Sequence, residues 1–162
     1  MYLETTIPNY LFANDVPEER EITRKFFTFV KRGKYDIFVS EVVKGEIERT
    51  TDIVKRKKLL AAIQGIKKLP IVEKSRLLAE EYILAGIIPP RYRPDALHIA
   101  IATLNRMDVL VTWNMEHLAN PVTRLRVTEI NHNKGFKIID IATPEEVIAS
   151  GYKDIKKIKG IG

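Results

Sequence analysis

The sequence predicts an α/β fold with three layers, α/β/α, around a central and mostly parallel sheet. Three observations predict it. Short apolar runs rich in β-branched residues, such as Val109-Leu-Val-Thr112, alternate along the chain with longer segments of helical period. Strands separated by helices need crossover connections, which parallel pairing with helices on both faces supplies most economically. At 162 residues and 45% hydrophobic, the chain is long enough for one sizeable core and short for two. The expected organisation is one domain over residues 1–150 and a mobile basic tail, residues 151–162, that carries Lys153, Lys156, Lys157 and Lys159.

Taken in order, residues 2 to 4 read as a short strand, and Pro8 suits the first turn of a helix from Ile7 to Ala13. Pro17 followed by Glu18, Glu19 and Glu21 puts negative charge where a helix dipole favours it. That second helix should reach Arg32 and stop at Gly33. Asp36 to Val39 is a strand, after which Ser40 caps a helix bearing Val42, Val43, Glu46 and Ile47. An amphipathic helix from Asp52 to Ile66 turns Ile53, Leu59, Leu60 and Ile63 inward and its lysines outward. Leu69 to Val72 is a strand, and Lys74 to Ala85 a helix stopped by Gly86 and Pro89-Pro90. Three prolines make Ile88 to Pro94 irregular, so Asp95 stands at the entry of the next helix. That helix, Asp95 to Arg106, is apolar on most sides and is therefore expected at the centre of the fold. Val109 to Thr112 is a buried strand, a helix runs from Pro121 to about Gly135, and Lys137 to Asp140 is the last strand. Thr143-Pro-Glu-Glu opens a final short helix.

Composition narrows the chemistry. With no cysteine there are no disulfides, thiolate zinc sites or cysteine nucleophiles. His98 falls three residues after Asp95 on one helix face, but its alanine and isoleucine neighbours make it a hydrogen-bonded core histidine. His117 and His132 read as structural or exposed, and no zinc site is credible. No apolar stretch approaches the ~20 residues of a membrane span, and no signal-peptide pattern opens the chain, so the expectation is a cytoplasmic protein without membrane contact. Lys and Arg number 27 against 21 Asp and Glu, a formal charge of +6 that favours polyanionic partners. Lys55 to Lys58 form one sequence-unspecific basic strip.

In parallel sheets, functional residues gather beyond the carboxyl ends of the strands. Glu4 follows the first strand, Glu46 lies on the helix after the second, Asp95 opens the central helix, and Asn114 follows Val109 to Thr112. Each has a plainer explanation: Glu4 as a surface strand end, Asp95 as a helix cap, Glu46 as one of a solvated face with Glu41 and Glu48. Acids gathered without a cation repel one another and need protons or a metal. Hard oxygen ligands suit magnesium or manganese, and such a site activates water for phosphodiester hydrolysis.

Four segments occur in order: Tyr2-Leu-Glu-Thr-Thr-Ile7, Val39-Ser-Glu-Val-Val-Lys-Gly-Glu46, Arg93-Pro-Asp-Ala-Leu-His-Ile-Ala100 and Leu110-Val-Thr-Trp-Asn-Met-Glu-His-Leu118. Together they resemble the motifs of the PIN-domain ribonucleases, among them the toxin halves of VapBC-type toxin–antitoxin pairs. The resemblance runs from residue 2 to about 141. It implies that Glu4 and Asp95 bind Mg²⁺ or Mn²⁺, with Asn114 as a direct or water-mediated ligand. It also implies that Glu46 acts through a water or orients the nucleophile, and that Thr6 holds the site together. The implied activity is an endoribonuclease leaving a 5′-phosphate and a 3′-hydroxyl, partnered by a small antitoxin and assembled as a homodimer. Two departures stand out, Glu4 and Asn114, where the family commonly has Asp. They keep open a PIN-fold module that binds RNA or protein without cutting; a DNA-binding regulator finds no helix-turn-helix signal. Arg91, Tyr92 and Arg93 form a basic-aromatic patch beside Asp95, and Trp113 lies where it could stack on an unpaired base, although packing against the central helix is the more frequent fate of such a residue; these four are the RNA-contact candidates.

Overall fold

The computed structural model describes residues 1–152. Five short strands form one sheet: β1 (Tyr2–Leu3), β2 (Phe38–Ser40), β3 (Lys67–Leu69), β4 (Val109–Val111) and β5 (Asp140–Ala142). Their order is β3-β2-β1-β4-β5, and every neighbouring pair is parallel. Eight helices connect and flank them among the described residues: α1 (Thr6–Tyr10), α2 (Pro17–Gly33), α3 (Glu41–Glu48), α4 (Ile53–Ile63), α5 (Glu73–Leu84), α6 (Arg93–Leu104), α7 (Pro121–Asn133) and α8 (Pro144–Ala149). The three-layer α/β/α architecture is the expected one, with a sheet that is parallel throughout.

The central strands are apolar because both of their faces are covered. Tyr2, Leu3, Leu110 and Val111 are fully buried, and Tyr2 pairs in register with Phe38 on one side and Leu110 on the other. Helix α6 is the central helix: Ala96, His98, Ile99, Ala100, Ile101 and Ala102 are inaccessible to solvent. The most extensive helix packing is α5 on α6, followed by α2 on α8. A buried polar link ties the first of these layers to α7. Tyr82 Oη donates to Asn131 Oδ1 at 2.5 Å, and Asn131 Nδ2 donates to Thr103 Oγ1 at 3.0 Å.

The structure moves several boundaries. Strand β3 begins two residues earlier than the apolar run suggests, because Lys67 and Lys68 at the sheet edge expose their side chains while their backbones pair with Phe38 and Val39. Strand β5 falls three residues later, at Asp140–Ala142, where the ladder with β4 sets the register. Ile53 is 57% exposed at the start of α4 rather than turned inward, since the helix begins there with Asp52 capping Lys55 N. The proline-rich segment is more ordered than expected. Pro90–Tyr92 makes one 3₁₀ turn and α6 starts at Arg93, with Pro94 in its first turn where no N–H is needed. At the end of α2 the left-handed residue is Lys34, φ 51°, not Gly33. Gly33 is required for another reason: a Cβ there would collide with the Tyr35 ring. Gly151 and Tyr152, assigned by sequence to the tail, join the fold, with Tyr152 buried and edge-on to Tyr35 at 5.7 Å. The rest of the expected tail, 153–162, lies outside the described residues. Among the described residues no helix is long and apolar enough to cross a membrane.

Candidate active site

The strand order decides where a site forms. From β1 the chain builds outward to β2 and β3, then returns to place β4 on the other side of β1. The connections diverge between β1 and β4, and such a switch point leaves a crevice at the carboxyl ends of the strands. Glu4 stands there, its N–H bonded to Val111 O at 3.1 Å.

Glu4 is 3% exposed, and a carboxylate at that depth needs donors. Its Oε2 accepts from Thr6 N at 3.1 Å, Thr6 Oγ1 at 2.6 Å and Thr112 Oγ1 at 2.8 Å. The two threonines are fixed in turn by the strand-four loop: Trp113 N donates to Thr6 Oγ1 at 2.8 Å and Asn114 N to Thr112 Oγ1 at 2.9 Å. One carboxylate oxygen thus ties the ends of β1 and β4 together. The other, Oε1, accepts no hydrogen bond among the described residues and faces His98 Nε2 at 3.9 Å.

Glu46 reaches the same crevice from α3. Its Oε1 lies 2.7 Å from His98 Nε2 and accepts from Thr5 Oγ1 at 2.9 Å. Burial alone would raise the Glu46 pKa, but the His98 hydrogen bond and charge, with Thr5 and Arg49, outweigh it and hold the carboxyl below its ordinary value. For His98 burial opposes the charged form, yet the Glu46 hydrogen bond and the fields of Glu4, Glu46 and Asp95 raise its pKa. Asp95 enters from the first turn of α6. Its Oδ2 lies 3.1 Å from His117 Nδ1 and accepts a long bond from Asn114 Nδ2 at 3.4 Å. Burial, joined by the Glu4 and Glu46 charges, raises the Asp95 pKa against the opposing pull of His98 and His117.

The structure therefore brings Glu4, Thr6, Glu46, Asp95 and Asn114 to one rim, but with different surroundings from those expected. The Asn114 oxygen accepts from His117 N at 2.9 Å, closing a local turn, and its amide nitrogen is the atom turned toward Asp95. Its carbonyl is occupied by the loop. Trp113 is half-buried: one face stacks on Tyr10 at 5.7 Å, and its Nε1–H donates to Thr23 Oγ1 at 2.8 Å. Arg93 is engaged by Glu80 through two bonds, 2.6 and 3.1 Å, which anchor the start of α6 to α5. Tyr92 covers the His117 ring at 3.9 Å, and the exposed Arg91 guanidinium lies 4.9 Å from the Tyr92 ring.

Thr112, His98 and His117 complete the site beyond the residues singled out from sequence. Thr112 carried the same signal as Glu4, a polar residue ending an apolar strand. The histidines had no sequence signal for their partners, which come from other elements.

The donor chemistry fits a hard divalent cation. Magnesium is commonly held by one or two carboxylates and several waters, and Glu4 Oε1 and Asp95 Oδ1 each lack a hydrogen-bond donor among the described residues. Among those residues no three His, Asp or Glu side chains stand close enough to close around one ion by themselves. A hollow of about 570 Å³ lies elsewhere, on α2 beside Phe29 and Tyr35, and is lined by no acid or histidine.

No family model matches the chain, and no curated protein matches it. Among solved structures it is similar to VapBC2 from Rickettsia felis bound to a DNA fragment from their promoter, with a TM-score of 0.55 over 88% of this chain and 96% of that one. The two are 16% identical, so the likeness is one of fold, and it supports a PIN-like architecture.

Proposed function

We propose that this chain is a metal-dependent endoribonuclease and the toxin half of a toxin–antitoxin pair, acting in the cytoplasm. The observation that carries the reading is the convergence of Glu4, Glu46 and Asp95 on the switch-point crevice, with His98 Nε2 2.7 Å from one and 3.9 Å from another. Glu4 and Asp95 would hold Mg²⁺ or Mn²⁺, which supplies charge to stabilise an attacking hydroxide and a leaving oxygen. Thr6 and Thr112 keep Glu4 fixed. Asn114 holds Asp95 from the side through its amide and would reach a cation through water. Glu46 Oε2, which has no donor among the described residues, is the oxygen available to accept a proton from water. Arg91 and Tyr92 are the RNA contacts best placed beside Asp95, while Trp113 and Arg93 act in support of the fold. The similarity to a VapBC complex supports an antitoxin partner. The exposed Leu77 and Leu84 on α5, with Val122 and Leu125 on α7, support self-association as a homodimer.

The test is cleavage of a mixed RNA pool with Mg²⁺, Mn²⁺ or chelator, comparing the intact protein with Asp95→Asn purified identically. Metal-dependent cutting absent from the variant is the expected result; equal cutting by both preparations would place the activity elsewhere. A second reading, a PIN-fold module that binds RNA or protein without cutting, is favoured by the saturation of Glu4 Oε2 with three donors and by the engaged Asn114 oxygen. Binding of the pool without cleavage under any metal would select it.

A further inference from the structure

Three side chains that the proposed reaction does not use are wholly buried behind Glu46. Tyr2 on β1, Ser40 at the end of β2 and His98 on α6 have no solvent exposure. They form one line of short contacts. Ser40 Oγ lies 2.7 Å from Tyr2 Oη, Tyr2 Oη 2.6 Å from His98 Nδ1, and His98 Nε2 2.7 Å from Glu46 Oε1.

The direction of the line follows from counting donors. Ser40 caps α3, and its oxygen accepts from Val42 N at 3.1 Å and Val43 N at 3.4 Å. With both lone pairs engaged, its hydrogen must point to Tyr2 Oη. The Tyr2 hydrogen is then left for His98 Nδ1, which acts as acceptor, and the ring hydrogen lies on Nε2. Burial keeps the Tyr2 phenol protonated, with its pKa raised well above the ordinary value. From Nε2 the hydrogen goes to Glu46 Oε1, the atom that Thr5 also bonds. An imidazolium would also donate from Nε2, but its Nδ1–H would face the Tyr2 hydroxyl, whose own hydrogen would then find no acceptor, so the line as counted holds for the neutral ring.

We propose that Ser40, Tyr2 and His98 act as a chain of positioning residues that aims Glu46. Its start is the cap of the helix that carries Glu46, so backbone and side chain of that residue are held from one origin. Glu46 Oε1 is committed to two donors and Oε2 accepts no hydrogen bond among the described residues, while the Glu4 carboxylate, the competing acceptor, stays 3.9 Å from His98 Nε2. Supporting hydrogen bonds of this kind around an active-site group are worth roughly 10- to 100-fold in activity.

The proposal rests on the nuclease reading for its functional consequence but not for its geometry, and the experiment separates the two. Nitrogen-15 NMR of the metal-free protein reads the His98 ring directly. The expected spectrum has the proton on Nε2 and an acceptor-type shift at Nδ1, and Tyr2→Phe, which keeps the ring and removes the hydroxyl, shifts Nδ1 alone. A wild-type ring with a proton on Nδ1, whether neutral or charged, would overturn the proposal. In RNA cleavage, Tyr2→Phe and His98→Leu should each lower kcat about 10- to 100-fold with KM little changed, and His98→Gln, which restores an N–H donor, should recover part of the loss. Folded variants that cleave at the wild-type rate would also overturn it. Wild-type protein that cuts no RNA sinks the nuclease reading, and the ring spectrum then decides the positioning chain by itself.

Discussion

Glu4 shows how a single side chain is set by its donors. Its carboxylate is buried at the end of a strand and stabilised by three hydrogen bonds from two threonines rather than by a neighbouring Lys or Arg. Thr112→Val keeps the shape but removes a donor to Glu4 and the acceptor of Asn114 N–H, so about 1–3 kcal/mol of stability should be lost in urea unfolding. A change below a few tenths of a kcal/mol would mean that water replaces the threonine. Trp113→Phe gives the converse expectation. It keeps the stack on Tyr10, loses the bond to Thr23, and should cost about 1 kcal/mol while leaving RNA affinity unchanged. A large loss of affinity with normal stability would restore Trp113 as a base-stacking residue.

Among the elements, α5, α6 and α7 meet through the Tyr82–Asn131–Thr103 link. Asn131→Ala removes both of its bonds and leaves the Tyr82 hydroxyl without its 2.5 Å partner. The expected cost is about 2–4 kcal/mol, from unsatisfied groups and a cavity together, visible as a lowered denaturation midpoint. At the other end of the sheet, Arg124 of α7 holds Glu146 of α8 with two bonds of 2.7 Å. The Arg124 hydrogen bond depresses the Glu146 pKa below its ordinary 4.5, against the effect of partial burial. A depressed carboxyl stabilises the fold above the unfolded pKa, and that contribution is lost as pH falls through the folded one. Glu146→Gln preserves the cap on Thr143 but not the charge. Its Tm should therefore lie about 1–3 °C below wild type at neutral pH, the scale of a partly exposed ion pair, and the gap should close on acidification below 4.5. A pH-independent gap would trace the effect to packing.

For the whole molecule, the +6 charge belongs to the proposed RNA partner rather than to the fold. Phosphate contacts release counterions, so affinity for an RNA pool should fall steeply, by about tenfold or more, between 50 and 200 mM salt. Binding indifferent to salt would argue for a protein partner instead. Glu4, Glu46 and Asp95 are themselves acidic and meet RNA only if the surrounding field or a cation compensates. That is why the chelator arm of the cleavage test carries information that salt alone does not.

The alternation of buried apolar runs with helical segments determined the layers and the parallel sheet, because burial on two faces leaves a continuous apolar signature in each strand. Polar residues ending those strands marked the rim, and Glu4, Glu46, Asp95 and Asn114 stand there. The edge strands were less legible: Lys67–Leu69 and Asp140–Ala142 pair through backbone groups that no side-chain pattern records. Tertiary structure alone decided the partners. His98 reads as a core histidine from its helix, and only the approach of β1, β2 and α3 places its two nitrogens between Tyr2 and Glu46. For Trp113 and Arg93, the partners Tyr10, Thr23 and Glu80 come from α1, α2 and α5, which no local pattern names. Sequence periodicity reports which face of an element leaves water, whereas a hydrogen bond between distant elements depends on how those faces are set against one another.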